Sequence, residues 1–286
     1  MNTNRCLSNI ARYLFGLASV SAIFVFALIT YFLVVNGVPA MAEIGVKDFL
    51  MGMEWQPGAG IYGILPMIIG SVFVTLGAIV IGFPIGVMTA IFLSETAHPK
   101  MARLVRPVVQ LLAGIPSVVY GFFGLSVLVP FILEIKAPGN SMLAAMIILG
   151  VMILPTVISV SENAIRAVPK EYKEGSYALG ETKISTIFRI TVPAAKSGIL
   201  TSLVLAVGRA VGEATAVILV AGNTVQVPGS VFDSVRTLTA NCVLEMGYAS
   251  GLHKEALFAT GVILFVIIIL INVILSMINR KAGADR

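Results

Sequence analysis

The chain has 286 residues, of which 58% are hydrophobic and 12% are charged, and its mean hydropathy is +0.99. These values exclude an ordinary soluble domain and indicate an integral membrane protein. The formal net charge of +5 comes from basic residues gathered in particular loops, so it reflects membrane topology, and no nucleic-acid partner is needed to explain it.

Six charge-poor runs are long enough to cross a bilayer as helices, which takes about 20 residues each. They predict an all-α membrane protein with one transmembrane domain over residues 1–286. The predicted spans are residues 13–35, 67–93, 107–133, 141–160, 199–220 and 256–278. Pro84, Pro116 and Pro155 lie inside three of these runs and predict kinks.

The basic residues predict the orientation, since loops on the cytoplasmic side are enriched in Lys and Arg. Of the 19 Lys and Arg residues, those predicted outside are Lys47, Lys136, Arg236 and Lys254, and Arg209 lies inside a span. The rest fall on the opposite side, so both termini are expected in the cytoplasm. Ala40-Met41-Ala42 resembles a signal-peptidase site, but the preceding apolar run is longer than a usual signal core, which favours a retained first helix.

Two external loops have recognisable features. Trp55 and Tyr62 in the first are expected at the headgroup level. In the last, Phe232, Val235, Leu238, Cys242 and Met246 recur at helical spacing opposite Asp233, Arg236 and Glu245. This pattern predicts either a helix lying in the outer interface or a surface on which a partner docks.

The longest polar loop, residues 162–198, lies between the fourth and fifth spans. Pro169 suits a helix start, Gly180 a left-handed helix stop, and Thr182 a new N-cap. Small side chains at Gly175 and Ser176 are expected to let another protein's backbone come close. The periodicity alone also fits a helix lying on lipid headgroups.

The same loop contains Glu174-Gly175-Ser176-x-x-x-Gly180, then nine residues, then Ile190-x-Val192-Pro193. This spacing resembles the EAA loop of ABC-importer permeases, E-A-A-x-x-x-G-x9-I-x-L-P. Gly175 and Ser176 replace the two alanines, and Val192 replaces the leucine. The resemblance implies that the loop forms two short helices that dock into a groove of an ATPase subunit.

Arg209 and Glu213 are charged residues in the fifth apolar run, where each is costly by about 2.5–3.5 kcal/mol. On a continuous helix they would share one face, one turn apart. Three interpretations remain open: an internal ion pair that orders the bundle, an arginine that binds a crossing oxyanion, and a proton relay through Glu213. Gly208 and Gly212 form a G-x-x-x-G pattern, repeated by Gly82 and Gly86, and both pairs predict close helix packing.

The sequence has no G-x-x-x-x-G-K-[ST] motif, no H-E-x-x-H motif and no G-x-S-x-G motif. No enzyme site is therefore predicted in this chain, and neither is a cofactor.

Several segments are similar to C-type (PstC) permease subunits of phosphate ABC transporters. They are residues 62–66, residues 111–121, residues 208–213 with 221–223, and residues 237–247. The resemblance implies a type-I ABC-importer permease in the cytoplasmic (inner) membrane of a prokaryote. Its implied partners are an A-type permease, two ATPase subunits that bind ATP and Mg, and an extracytoplasmic phosphate-binding protein.

The expected function is import of inorganic phosphate. Arg209 would contact the anion, Glu213 would partner it, and Pro116 and Ser117 would line the path. Glu213 is expected to favour hydrogen phosphate, whose proton a carboxylate can accept. Permeation of sulfate or molybdate is the main alternative, since arginine binds these anions equally well. An ion-driven secondary transporter is a further alternative, although internal repeats are not evident.

Overall fold

The structure, a computed structural model, describes the backbone of residues 2–284 and the side chains of residues 12–279. Almost all of its regular structure is helical. The helices are α1 (Asn2–Ile44), α2 (Val46–Met51), α3 (Leu65–Ile91), α4 (Pro99–Gly114), α5 (Ser117–Phe123), α6 (Val129–Ile135), α7 (Met142–Arg166), α8 (Lys170–Ala178), α9 (Lys183–Thr186), α10 (Val192–Ala194), α11 (Lys196–Gly212), α12 (Thr215–Val220), α13 (Leu238–Glu245) and α14 (Gly251–Ala284). A hairpin pairs strand β1 (Trp55–Gln56) with strand β2 (Ile61–Tyr62), and π-helical turns occupy Phe92–Thr96, Gly124–Leu128 and Ile187–Thr191.

Five helical segments are long and apolar enough to cross a membrane, and a bent pair of helices supplies a sixth. The five are Arg12–Ile44, Leu65–Thr96, Ser117–Ile135, Met142–Arg166 and Gly251–Asn279, and the pair is Lys183–Ala194 with Lys196–Gly212. The prediction of an all-α, multi-span membrane protein is therefore confirmed.

The third predicted span, residues 107–133, begins in the wrong place. Helix α4 ends at Gly114, and the membrane-length segment starts at Ser117, after a break at Ile115-Pro116. Proline disfavours helical geometry in the residue before it, and Ile115 is accordingly extended. The Leu112 carbonyl oxygen at the end of α4 accepts the backbone N–H of Ile115 at 3.3 Å and the Tyr120 hydroxyl at 2.8 Å, so Tyr120 ties α5 to the end of α4.

The fifth predicted span, residues 199–220, is not one helix. A bend of 66° between Lys183–Ala194 and Lys196–Gly212 precedes it, and α11 ends within it, at Gly212. Glu213 is extended, and α12 begins at Thr215 after the N-cap Ala214. By contrast, α3 continues through Pro84 and α7 through Pro155.

The centre of the bundle is the contact between α3 and α7. A Cβ built on Gly82 would lie 2.4 Å from the carbonyl oxygen of Gly150, and one on Gly86 would lie 2.6 Å from Val157 Cγ1. These separations are too short for any side chain. Glycine at Gly82 and Gly86 therefore allows the backbones of the two helices to approach closely.

Helix α1 packs on α14 and exposes the rest of its surface. Gly37 is the closest approach, since a Cβ built there would lie 2.8 Å from the backbone of Phe258 and Ala259. Phe32 packs edge-on against Phe258 at a centroid distance of 5.4 Å. The described apolar side chains of α1 that face away from α14 have no protein neighbour, as expected for a helix that contacts lipid or another subunit.

Candidate functional site

Loops emerge on two sides of the bundle. The β-hairpin, the turn before α7 and the segment 221–250 lie on one side, here the hairpin side, because an odd number of spans separates them from the other loops. Helices α4 and α8 to α10 lie on the opposite side. The loop of residues 162–198, here the coupling loop, lies there, and this side is called the coupling-loop side. The coupling-loop side contains the coupling loop, and the hairpin side contains a buried polar cluster around Glu245. The break at Glu213 lies between these two regions.

Helices α8 and α9 of the coupling loop begin and end where their sequence signals place them. Pro169 is the N-cap of α8, and Gly180 has the positive φ of +85° that allows the chain to turn after it. The Thr182 hydroxyl accepts the backbone N–H of Ser185 at 3.3 Å and caps α9. The loop therefore forms two short helices joined by a tight turn.

Ser176 does not face a partner, contrary to the expectation from its small size. Its side chain is buried, and its hydroxyl oxygen lies 2.9 Å from that of Thr186, so the two hydroxyls join α8 to α9. Gly175 is exposed, and a Cβ built there would meet no described atom within 4 Å. Of the two small residues, only Gly175 leaves room for another protein.

The coupling loop presents a patch of exposed apolar side chains, here the coupling patch. Leu179 is 87% exposed and Ile184 is 71% exposed, and Tyr172 and Phe188 lie open beside them in the same loop. A water-facing group of large apolar side chains is typical of a protein-protein contact. Glu174, Gly180 and Pro193 are also exposed, whereas Ile190 is half-buried.

The loop is fixed to the membrane helices beneath it. Ile187 is buried with Ile165 of α7 and Ala90 of α3. The Lys173 ammonium contacts the Glu95 carboxylate at 2.5 Å, which ties α8 to the π-helical turn after α3. Movement imposed on α8 would therefore reach the ends of α3 and α7.

Arg209 and Glu213 do not form an ion pair in the described chain, which was one of the three interpretations of these residues. They do not share one helix, since Glu213 lies in the break after Gly212. The Glu213 Oε1 atom accepts the backbone N–H of Ala216 at 3.1 Å and so caps the first turn of α12. Within residues 12–279, the half-buried Arg209 guanidinium makes no hydrogen bond or ion pair.

The second helix break lies near this one. Pro116 and Ser117 begin α5, and α5 packs directly on α12, since a Cβ built on Gly121 would lie 2.9 Å from Ala216 Cα. Pro116 is exposed and Ser117 is half-buried. The two interrupted spans thus lie side by side.

The close packing predicted at Gly208 and Gly212 is absent within the described chain. A Cβ built on either glycine would meet no described atom within 4 Å. Gly208 lines a narrow gap together with Ile268, Ile271 and Asn272 of α14, so α14 lies near this part of α11 without packing closely on it. Of the two glycines, only Gly212 is exposed, and Gly208 is half-buried near α14.

The hairpin side holds a buried polar cluster that the sequence did not predict, here the Glu245 cluster. Glu245 Oε1 contacts the Arg236 guanidinium at 2.6 Å. Its Oε2 accepts the Trp55 indole N–H at 2.7 Å and lies 2.8 Å from His253 Nε2. Arg236 also donates to the carbonyl oxygen of Asn223 at 2.9 Å.

The amphipathic helix expected over this segment is therefore wrong in extent and in orientation. Only Leu238–Glu245 is helical. Asp233 accepts the backbone N–H groups of Gly229 and Ser230 in a turn, at 2.9 and 2.8 Å. Arg236 and Glu245 point inward as a pair, because their partners come from the hairpin and from α14.

A model of the family described as "Binding-protein-dependent transport system inner membrane component" matches residues 82–283. The chain is 42% identical over 261 residues to the probable ABC transporter permease protein YqgH of Bacillus subtilis, covering 88% of this chain and 84% of that one. It is 35% identical to the phosphate transport system permease protein PstC of Mesorhizobium japonicum, covering 86% and 83%.

Solved structures have the same fold at low sequence identity. A bacterial ABC transporter involved in the import of alginate aligns with a TM-score of 0.66 and 16% identity, over 97% of this chain and 99% of that chain. An inward-facing MetNI methionine ABC transporter aligns with a TM-score of 0.60 and 20% identity, over 80% and 99%. On the strength of the family model and of these relatives, the chain belongs to the binding-protein-dependent transport system inner membrane components, the membrane-embedded permeases of ABC importers.

Proposed function

We propose that this chain is the permease subunit of an ATP-driven importer that moves inorganic phosphate inward across the cytoplasmic membrane of a prokaryote. The observation that carries the proposal is the Arg209 guanidinium, half-buried at a break in an apolar span and without an acidic partner in the described chain. A permanent charge is costly at that depth unless it faces water, another chain or an anion.

Arginine is suited to an oxyanion because its planar fork donates two parallel hydrogen bonds. Glu213 lies four residues further on, and only its Oε1 is engaged among the described residues. Its Oε2 is then available to accept the proton of hydrogen phosphate. Sulfate at neutral pH carries no such proton, so the pair favours phosphate. The relatives named for phosphate transport support the same choice.

The exposed Gly212, at the end of α11 beside the break, supports a pathway shared by two subunits. A Cβ built on Gly212 would meet no described atom within 4 Å, so a second permease, of the A type, would complete the walls around the anion. Pro116 and Ser117 would line the route beside α12. Lipid would cover the outward faces of the remaining helices, including α1.

ATP hydrolysis would take place on two separate ATPase subunits, which bind ATP and Mg. The coupling patch would bind one of them, with Glu174, Gly175, Gly180, Ile190 and Pro193 at or beside the contact. A phosphate-binding protein would dock on the hairpin side. This arrangement places the termini and the coupling loop in the cytoplasm, in agreement with the basic residues of these segments. The proposal involves no nucleic acid.

The test is ATP-dependent uptake of radiolabelled phosphate in proteoliposomes that contain the full complex. Arg209→Gln is expected to abolish uptake while the complex stays assembled and its ATPase stays active. Arg209→Lys, which keeps the charge but loses the fork, is expected to retain partial uptake. If Arg209→Gln transports at the wild-type rate, Arg209 does not contact the anion.

The substrate itself is tested in the same vesicles. Transport of sulfate or molybdate in place of phosphate by the wild type would contradict the choice of anion. Uptake that follows an ion gradient and ignores ATP would identify a secondary transporter and contradict the proposal as a whole.

A further inference from the structure

Helix α13 connects the break at Glu213 to the Glu245 cluster. In its first turn the Thr239 hydroxyl donates to the Glu213 carbonyl oxygen at 3.0 Å. Its last residue is Glu245, which holds the hairpin and α14. Six residues separate Thr239 from Glu245, which is about 9 Å along a helix. One short rigid element thus contacts both polar arrangements.

The hydrogen bond from the Thr239 hydroxyl to the Glu213 carbonyl oxygen has a defined donor, because a second hydroxyl lies beside Thr239. The Thr237 hydroxyl accepts the backbone N–H of Ala240 at 3.2 Å and lies 3.1 Å from the Thr239 hydroxyl. Thr237 can therefore donate its proton to Thr239, while Thr239 donates its own to Glu213. The first turn is also fixed to α3, because the Leu238 N–H donates to Ser71 Oγ at 2.9 Å.

Glu213 is consequently held at two points. Its carbonyl oxygen accepts from Thr239, and its carboxylate accepts from the N–H of Ala216. A carbonyl at the end of α11 has no intrahelical donor, so the hydroxyl supplies one that the break would otherwise lack. These two bonds together fix the direction of the Glu213 side chain relative to Arg209.

We propose that Thr239 is a positioning residue for anion passage and that α13 transmits movement from the hairpin side to the Glu213 break. A binding protein that docks on the hairpin side presses on the hairpin and on α14, which hold Glu245 through Trp55 and His253, and the resulting shift of the cluster moves α13 and withdraws the Thr239 hydroxyl from Glu213. The inference rests on the proposed function, since it takes Arg209 and Glu213 as the anion's route.

The experiment compares Thr239→Val with Thr239→Ser in the full complex in proteoliposomes. Valine keeps the shape of threonine and removes the hydroxyl, whereas serine keeps the hydroxyl and removes the methyl group. The reporter is Ala214→Cys in a chain with Cys6→Ala and Cys242→Ala, and the readout is the rate at which a small maleimide labels Cys at 214. Phosphate transported per ATP hydrolysed is measured alongside.

Thr239→Val is expected to raise the labelling rate about five- to tenfold without binding protein, the scale of one lost buried hydrogen bond, and to lower the phosphate transported per ATP. Thr239→Ser is expected to stay within about twofold of the parent on both measures. Binding protein is expected to raise labelling in the parent and to add little in Thr239→Val.

The opposite pattern, with Thr239→Val normal and Thr239→Ser impaired, would show that the residue only fills space. Labelling in the parent that ignores the binding protein would overturn the transmission through α13. Labelling needs no phosphate, so it reports on the break even if the wild type proves to carry a different anion. The failure of this inference and the failure of the proposed function are therefore distinguishable.

Discussion

The hydroxyl oxygens of Ser176 and Thr186 lie 2.9 Å apart in a buried contact that joins helices α8 and α9 of the coupling loop. Thr186 is fully buried, so no water can replace the Ser176 hydroxyl as its hydrogen-bond partner if Ser176 is changed. The importer pattern that the loop resembles has alanine where this chain has Ser176. In this chain the serine that replaces alanine makes a hydrogen bond that joins the two helices.

Ser176→Ala is accordingly expected to be harmful although it restores the family pattern. It leaves the Thr186 hydroxyl buried and unpaired, at a cost of about 1–3 kcal/mol. The melting temperature of the purified complex and its phosphate uptake should both fall. The double variant Ser176→Ala/Thr186→Val, which removes both partners, should recover most of the stability. Two additive losses would show that the hydroxyls do not interact.

A polar residue in the coupling patch is expected to release the ATPase without harming the fold of this chain. Leu179→Ser removes an apolar side chain worth about 1.5–3 kcal/mol when a partner buries it. The amount of ATPase that copurifies should fall about tenfold or more, since 1.4 kcal/mol is a factor of ten in affinity.

The matched control is Glu171→Ala, which changes an exposed polar residue of α8, the helix that ends just before Leu179, and this variant should keep its ATPase. Normal recovery of the ATPase with Leu179→Ser would mean that the patch contacts lipid headgroups instead.

Loss of the negative charge in the Glu245 cluster is expected to destabilise the hairpin side. Glu245→Gln leaves the Arg236 guanidinium, which is mostly buried, without its anion, and breaking such a pair costs about 3–5 kcal/mol. Trp55→Phe removes a single N–H donor and should cost about 1 kcal/mol. Thermal unfolding of the complex in detergent measures both. Glu54→Gln, which changes an exposed carboxylate of the hairpin loop, should unfold like the wild type.

Cys242 is expected to resist alkylation in the folded protein. Burial raises the pKa of its thiol to about 12, so at pH 8 roughly one thiol in ten thousand is ionised, and only the thiolate reacts quickly. In a Cys6→Ala chain, labelling of Cys242 with maleimide at pH 8 should be slow until the protein is denatured. Val243→Cys, one residue along and 58% exposed, should react rapidly under the same conditions. Equal rates at the two positions would contradict the burial of Cys242.

Alanine at Gly82 is expected to disrupt the bundle, whereas alanine at Gly208 is not. The new Cβ at Gly82 would lie 2.4 Å from the Gly150 carbonyl oxygen, and backbone must move to admit it. At Gly208 the same atom meets open space within the described chain. The yield of folded protein and its melting temperature separate the two cases. A loss of stability in Gly208→Ala that appears only in the assembled complex would reveal a partner helix on this face.

The apolar runs and the cap residues made much of this fold predictable. Run length alone placed most of the membrane helices, and Gly180 and Thr182 marked the turn of the coupling loop because they act through local backbone geometry. The break at Glu213 was not predictable in this way. It contains no proline, and its carbonyl is satisfied by Thr239, which lies 26 residues further along the chain.

Proline did not mark the ends of helices consistently. Pro116 separates two helices, whereas α3 and α7 continue through Pro84 and Pro155, and the kinks predicted at these two residues stay a prediction. The Glu245 cluster was missed because its indole donor lies 190 residues away, beyond any periodic signal. The spacing of Arg236 and Glu245 is that of a polar helix face, which predicts exposed side chains. In the structure Glu245 binds residues that are distant in the sequence, and both side chains lie inside the protein.

The coupling patch has a consequence for how the cell makes this protein. Leu179 and Ile184 are exposed in the described chain, so a newly made chain that lacks its partner subunits would display them to chaperones and proteases until another subunit hides them. Synthesis without its partners should therefore yield a short-lived protein, and the same surface that would transmit force in the finished transporter would report, during biogenesis, whether assembly is complete.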